Sequence, residues 1–131
     1  MSEGEIKKLV ASWQSEVRRG ALQLYLLSLI GKGNNMYGYK IGKELKARTE
    51  EKRVDPIFEI KEGVLYPILR RLTKNGLLKG EWSTPENGGT VTKPRKYYQL
   101  TPRGKQVLAE MAEYWAELSN EMDLILLEEA T

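Results

Sequence analysis

Cysteine and histidine are both absent from this 131-residue chain. It therefore cannot form a disulfide or a thiolate nucleophile, and it cannot supply the imidazole of a catalytic triad or of a histidine metal site. The phosphate-binding patterns GxxxxGK(S/T) and GxGxxG are absent too, so neither common nucleotide-binding loop is present. The carboxylates are scattered over polar positions without pairing in an apolar stretch. We predict a protein that is not an enzyme and that uses no cofactor or metal.

Long apolar runs are also missing. No run approaches the ~20 residues that a membrane-spanning helix needs, and residues 1–8 are polar and charged, unlike a secretory signal. We therefore expect a cytoplasmic protein. A chain of this length usually forms one domain, and its core buries roughly two-thirds of the surface of the unfolded chain.

Positive charge is missing from the last 26 residues. Residues 1–105 hold all 21 Lys and Arg with 11 acids, a net charge of +10, whereas residues 106–131 hold seven acids and no cation. A basic body with an acidic tail is typical of a protein in which one part faces nucleic acid. The alternative is that these charge blocks are only solvated faces.

Apolar residues recur at intervals of three and four in several segments, which predicts amphipathic helices. The first two cover residues 5–17 and 21–30, and charged residues lie between them. The third covers about 37–48 and the fourth about 61–75, where Asn75-Gly76 is a good stop signal. Pro67 lies too deep for a first-turn proline, so we expect a mild kink or a later start of the fourth helix.

Residues 77–82 and 97–100 read as two strands of a hairpin with a long Gly- and Pro-rich connection. We expect Trp82 to pack at the base of this hairpin. A last helix is predicted from Thr101, its N-cap, with Pro102 in the first turn, to about residue 128. Its apolar residues keep a heptad spacing: Leu108, Met111, Trp115, Leu118, Met122 and Ile125. At ~38 Å this helix is too long for a small domain to cover, which favours a dimer over packing on its own domain.

Two segments carry candidate DNA contacts. The face of the fourth helix opposite its leucines carries Gly63, Tyr66, Arg70 and Lys74. Arginine can read a guanine edge or bind a phosphate, although an ordinary solvated face remains the alternative. The second segment is the basic and aromatic run 93–98, where Arg95 and Lys96 suit phosphate contacts and Tyr98 suits the core. A charged turn with purely structural aromatics is the alternative there.

Trp13 and Trp115 lie on the apolar faces of the first and last helices. Tryptophan on such a face usually belongs to a core. If a dimer encloses a cavity, the same two rings could stack on a flat aromatic ligand.

Three motifs in order resemble the PadR family of transcriptional regulators, and the resemblance spans residues 18 to about 120. MYGYKI (36–41) resembles the YGYE stretch of the family's second helix. EGVLYPILRRL (62–72) resembles its EGTLYPALRRLE recognition helix, and RKYYQLTPRG (95–104) resembles its RKYYxLTxxG exit from the wing.

The resemblance implies an α+β fold, mainly helical with a small hairpin: a winged helix-turn-helix over residues 18–104, after an N-terminal helix (1–17) and before a C-terminal dimerisation helix (105–131). It implies a homodimeric repressor that binds a palindromic operator in double-stranded DNA, and an aromatic or hydrophobic effector in some members, with Trp115 aligned to the pocket aromatic. Tyr39 and Lys43 would join Arg95 and Lys96 as phosphate contacts. A winged helix used only for protein interaction is the alternative function.

Overall fold

The computed structural model describes residues 1–33, 36–37, 41, 43, 62–83 and 95–129. These residues form helix α1 (Glu3–Gly33), strand β1 (Met36–Tyr37), helix α2 (Glu62–Lys74), strands β2 (Leu78–Ser83) and β3 (Arg95–Leu100), and helix α3 (Pro102–Glu129). This mostly helical arrangement with a small antiparallel sheet confirms the predicted α+β class. None of the helices in the described part of the chain combines the length and apolar character needed to span a membrane.

The core forms where the second half of α1, the inner side of α2 and the sheet meet. Its buried side chains are Leu22, Leu26, Leu27, Leu29, Ile30, Ile41, Leu65, Leu69, Leu72, Leu77, Leu78 and Tyr98. Each fully buried leucine contributes about 1.5–3 kcal/mol relative to an exposed one. Within the described residues no polar or charged side chain is buried, so the core itself is held by apolar packing.

Helix α1 is one continuous helix of 31 residues, so the prediction of two separate helices was wrong. The charged residues around position 18 do not interrupt it, because Glu and Arg are good helix formers and stay solvated. The Ser2 hydroxyl caps the first turn by accepting a hydrogen bond from the Glu5 N–H at 3.2 Å. Residues 1–20 are all exposed, so the first half of α1 projects about 27 Å beyond the core.

Helix α2 ends at the predicted stop. Gly76 has a positive φ of 77°, a conformation that glycine adopts without steric cost. The Leu77 N–H donates to the Leu72 carbonyl and the Gly76 N–H donates to the Thr73 carbonyl, both at 3.0 Å. These two bonds form a Schellman motif, which satisfies carbonyls that a helix end leaves open.

Pro67 lies inside α2, and its ring is exposed. The helix begins at Glu62 rather than after the proline, so the later start that we considered does not occur. Proline lacks the N–H that would bond to the carbonyl four residues earlier. On an exposed side of the helix, water can satisfy that carbonyl instead.

The sheet has three strands in the order β1-β3-β2. β2 and β3 form the predicted antiparallel hairpin, and Met36 and Tyr37 pair with Tyr98 and Tyr97 of β3. Strand β1 was missed, because Tyr37 was assigned to the start of the third helix. A two-residue strand has no periodicity of its own, and it exists only through a partner that lies ~60 residues further along the chain.

One threonine joins the end of α2 to the start of α3. The Thr101 hydroxyl accepts a hydrogen bond from the Gly104 N–H at 2.9 Å, which confirms it as the N-cap of α3. The same hydroxyl donates to the Gly76 carbonyl at 2.5 Å, and the Thr101 N–H donates to the Leu77 carbonyl at 3.1 Å. Helix α2 and the long helix α3 are therefore joined directly, where α2 ends and α3 begins.

Candidate nucleic-acid interface

Helix α2 separates buried leucines from an exposed polar side. Its leucines at 65, 69 and 72 are at most 2 % exposed, and Ile68 is half-buried. The predicted DNA-facing residues are all exposed: Gly63, Tyr66, Arg70 and Lys74. At ~100° per residue these four fall within about 80° of one another around the helix axis. The structure thus brings them together on one solvent-facing side.

The N-terminal turn of α2 is open. Nothing lies within 4 Å of the position that a Cβ on Gly63 would occupy. Its neighbour Val64 is 50 % exposed. Packing inside the chain therefore does not require a glycine at this position, and the backbone there is accessible to a large partner.

The helix that precedes α2 in sequence is described at two positions. Ile41 is fully buried in the core, whereas Lys43 is helical and exposed. Tyr39 lies outside the described residues. The predicted phosphate contact at Lys43 is therefore on an accessible surface, on an element that the core anchors through Ile41.

The hairpin of β2 and β3 has one side turned toward the core. Because strand side chains alternate, this inner face carries three paired positions: Leu78 with Leu100, Gly80 with Tyr98, and Trp82 with Lys96. Tyr98 is 6 % exposed, in agreement with its predicted structural role. The inner face thus runs from the core at Leu78 outward to Trp82 and Lys96 at the far end of the hairpin.

Trp82 does not pack at the base of the hairpin, so that prediction was wrong. Its side chain is 69 % exposed, at the end of β2 away from the core. Distance along the strand explains this, since Trp82 lies four positions, about 13 Å, beyond the buried Leu78. Alternation alone puts Trp82 on the same face as Leu78, and no local pattern in the sequence shows how far the core extends along β2.

Lys96 and Arg95 lie side by side on β3 in different surroundings. The Lys96 ammonium lies 5.8 Å from the ring centroid of Trp82 and 5.8 Å from that of Tyr98, within the range of a cation–π interaction. Arg95 is exposed. On the opposite face of the hairpin Lys79 forms a 2.8 Å ion pair with Glu81. The hydrogen bond to Glu81 raises the pKa of Lys79.

Tyr98 links the hairpin electrostatically to α2. Burial raises the pKa of the Tyr98 phenol, the neighbouring Tyr66 raises it further, and the Arg70 guanidinium opposes the shift. Both neighbours belong to the exposed side of α2. Tyr66 and Arg70 therefore lie near enough to Tyr98 to act on its phenol, which puts the exposed side of α2 next to the core-facing side of the hairpin.

The two long helices leave apolar surface uncovered. On α3, Leu108 and Met111 pack partly against the core, whereas Trp115, Leu118, Met122 and Ile125 are 36–55 % exposed. On α1 the exposed apolar residues are Ile6, Leu9, Val10, Trp13 and Val17. Trp13 is 61 % exposed, so within one chain neither this ring nor Trp115 belongs to the core.

A helix with an exposed basic side, set beside a basic hairpin, defines a winged helix-turn-helix protein. The model of the transcriptional regulator PadR-like family matches residues 26–110. A PadR family transcriptional regulator from Eggerthella lenta is 33 % identical, with a TM-score of 0.74 and coverage of 93 % of this chain and 96 % of that one. The chain belongs to the PadR-like family of transcriptional regulators.

Two further similar proteins are also transcriptional regulators. A PadR-like transcription factor from Bacteroides fragilis is 32 % identical, with a TM-score of 0.64 and coverage of 87 % of this chain and 98 % of that one. Transcriptional regulator Rv3488 of Mycobacterium tuberculosis is 28 % identical over 107 residues, which is 82 % of this chain and 87 % of that protein. PadR regulators bind DNA and are not a family of enzymes.

Proposed function

We propose that this protein is a homodimeric, sequence-specific repressor that binds a palindromic operator. The exposed basic side of α2 next to the hairpin is the observation that carries this proposal. In the winged helix-turn-helix arrangement the recognition helix enters the major groove, and neighbouring elements hold the phosphate backbone. The basic body of the chain supplies the charge that attracts DNA.

The residues divide into two roles. Tyr66, Arg70 and Lys74 face the major groove, and Gly63 lets the backbone at the start of α2 approach the DNA closely. The cations of the other elements hold phosphates: Lys43 together with Tyr39 before α2, and Arg95 together with Lys96 on the hairpin. Phosphate contacts position a protein on DNA, whereas contacts to base edges specify the sequence.

The dimer follows from the uncovered apolar faces of α1 and α3. Monomeric proteins rarely expose apolar patches this extensive, and such patches usually mark an interface. The heptad spacing on α3, from Leu108 to Ile125, suits helix pairing about a twofold axis. A second copy covers these faces and presents a second α2 to the same face of the duplex. On this proposal residues 18–104 bind DNA, and the helical residues on either side hold the dimer.

An aromatic or hydrophobic effector is the second part of the proposal. Trp13 and Trp115 are exposed in one chain and lie on the two helices that form the proposed interface. Flat rings on both helices provide stacking surfaces for a planar ligand between subunits. Binding there would shift the relative positions of the two α2 helices and release the operator.

Selection of bound fragments from genomic DNA tests the DNA-binding proposal. The Arg70→Ala variant should lose about 1–3 kcal/mol of discrimination between the selected fragment and random duplex, because a base contact is removed. Lys8→Ala is the matched control: it also removes one cation, but at a site about 21 Å along α1 from the first buried leucine, and it should leave discrimination intact. If Arg70→Ala weakens both DNAs equally, Arg70 is not a base reader.

Tryptophan fluorescence tests the effector proposal. A planar aromatic compound should quench the emission of the dimer, and Trp115→Ala should remove that quenching. No quenching across a broad panel of such compounds would contradict the proposed site.

The alternative function, a module that binds only proteins, makes a different prediction. Such a protein shows no salt-dependent affinity for DNA, because no counterions are released.

A further inference from the structure

Trp82 is the largest exposed aromatic on the hairpin, and its position is set by β-sheet register. It pairs with Lys96 at the outer end of the hairpin. It lies on the inner face, the side on which Tyr98 is electrostatically coupled to Tyr66 and Arg70 of α2. An indole that is 69 % exposed adds little to the core, so folding alone does not account for a tryptophan there.

Gly80 allows Lys96 to lie along this face. A Cβ at Gly80 would come within 2.5 Å of the Lys96 Cε atom, so the glycine provides the space that the lysine stem crosses. The ammonium is then 5.8 Å from the ring centroids of both Trp82 and Tyr98. The result is an exposed apolar ring directly beside a positioned cation.

We propose that Trp82 is a DNA-contacting residue of this protein. Its indole packs against a deoxyribose of the strand next to the hairpin, and the Lys96 ammonium binds the adjacent phosphate. A DNA strand alternates an apolar sugar and an anionic phosphate, and the adjacent indole and ammonium match that alternation. The opposite face of the hairpin carries the Lys79–Glu81 ion pair, whose charges largely cancel, and the exposed Arg95 at its outer end. Arg95 can hold a phosphate from that face, whereas the inner face offers the exposed indole together with the Lys96 ammonium.

This inference rests on the proposed DNA-binding function. Substitutions at Trp82 and at Lys96 should change the salt dependence of DNA binding differently. Trp82→Ala should weaken binding to selected and random duplex alike by about tenfold, a loss of ~1.4 kcal/mol. It should leave the slope of log K against log salt unchanged, because no charge is removed. Lys96→Met keeps the aliphatic stem, and it should reduce that slope by about one. Trp82→Phe retains an aromatic ring and should keep most of the affinity.

The fluorescence of Trp82 can be measured directly in a variant that carries Trp13→Phe and Trp115→Phe, in which Trp82 is the only tryptophan. Acrylamide quenching of its emission should fall when random-sequence duplex is added, because the sugar covers the indole. Thermal unfolding of every variant checks that the fold is intact, and the exposed position of Trp82 makes a folding defect unexpected.

The outcomes separate this inference from the proposed function. If the wild type binds DNA while Trp82 stays equally accessible or Trp82→Ala binds normally, the inference is overturned and the function stands. A reduced salt slope in Trp82→Ala would show that the ring acts only by positioning Lys96, and it would overturn the contact. If the wild type does not bind DNA even at low salt, both proposals fail.

Discussion

At the scale of single residues, Gly104 has the tightest surroundings of the glycines in the described part of the chain. A Cβ there would lie 2.0 Å from the Leu77 carbonyl oxygen, and backbone cannot move aside as a flexible side chain can. Gly104→Ala should therefore destabilise the protein by about 3 kcal/mol, at the upper end for overpacked sites. Chemical denaturation followed by circular dichroism, at one fixed protomer concentration, measures this.

Gly20→Ala is the matched control for this prediction. Gly20 is also inside a helix, but nothing lies within 4 Å of its Cβ position. Alanine there should stabilise the protein by about 0.5–1 kcal/mol through its helix propensity. Equal effects of the two substitutions would show that contact with Leu77 is not the cause.

Tyr98 should make the stability of the folded protein depend on pH in the alkaline range. Its pKa in the folded protein is raised above the usual value of about 10, chiefly by burial. The folded state therefore favours the protonated phenol, and this contribution to stability is fully present below about pH 10 and is lost as pH rises through the raised pKa. Between pH 10 and 11 the free energy of unfolding should fall below its value at pH 7 by less in Tyr98→Phe than in the wild type. Urea denaturation at each pH measures this difference. Parallel pH profiles would contradict this account.

At the scale of elements, Thr101 is predicted to matter more than an ordinary helix cap. Its hydroxyl caps α3 and also donates to the carbonyl of Gly76 at the end of α2. Thr101→Ala should cost about 1–2 kcal/mol in the free energy of unfolding, the upper range for an N-cap. Thermal or urea denaturation measures this cost.

Thr73→Ala provides the comparison. The Thr73 hydroxyl also donates to a carbonyl, that of Leu69 at 2.8 Å, but this bond lies within one helix and contributes little. Alanine at position 73 should be nearly neutral, since its helix propensity offsets the lost bond. If Thr73→Ala lowers the free energy of unfolding as much as Thr101→Ala does, the hydrogen bond between α2 and α3 adds no stability beyond that of an ordinary threonine hydrogen bond.

The elements also show how far the sequence predicts this fold. Helix α2, its stop at Gly76, the hairpin and the cap at Thr101 were predictable because each depends on residues close in sequence. The pairing of Met36 and Tyr37 with β3 depends on distant residues and left no local pattern. The exposed side of α2 followed from helical periodicity, whereas the exposed position of Trp82 depends on how far the core extends along β2, which no local pattern shows.

At the scale of the whole molecule, the apolar faces of α1 and α3 predict a dimer in solution. Met122→Glu should weaken it, because a carboxylate would be buried in the interface without a partner. The folded monomer should tolerate the change, since Met122 is 53 % exposed. Light scattering at micromolar concentration should show a dimer for the wild type and a shift toward monomer for the variant.

Asn120→Glu is the control for the dimer. It adds the same charge to α3 two residues away, about 200° around the helix and off the apolar stripe. The Asn120→Glu protein should remain dimeric. A wild-type protein that is a clean monomer at this concentration would contradict the dimer itself.

The division of charge fits this arrangement of the molecule. All the cations lie before residue 106, in the part that includes α2 and the hairpin. The charged residues within 106–131 are all acidic. Like charge repels the phosphate backbone, so the acidic end of α3 favours an orientation in which α2 and the hairpin face the duplex. Two subunits paired through α3 would then present two α2 helices to one side of the DNA.

Sequence-specific DNA binding is tested by measuring the affinity of the wild type for its selected fragment and for random duplex over a range of salt concentrations. For both DNAs, log K should fall linearly with log salt, with a slope of about 0.9 for each phosphate contacted. The selected fragment should bind at least about a thousandfold more tightly. If the affinity does not depend on salt, the protein does not bind the phosphate backbone, and if it is equal for the two DNAs, the binding is not sequence-specific.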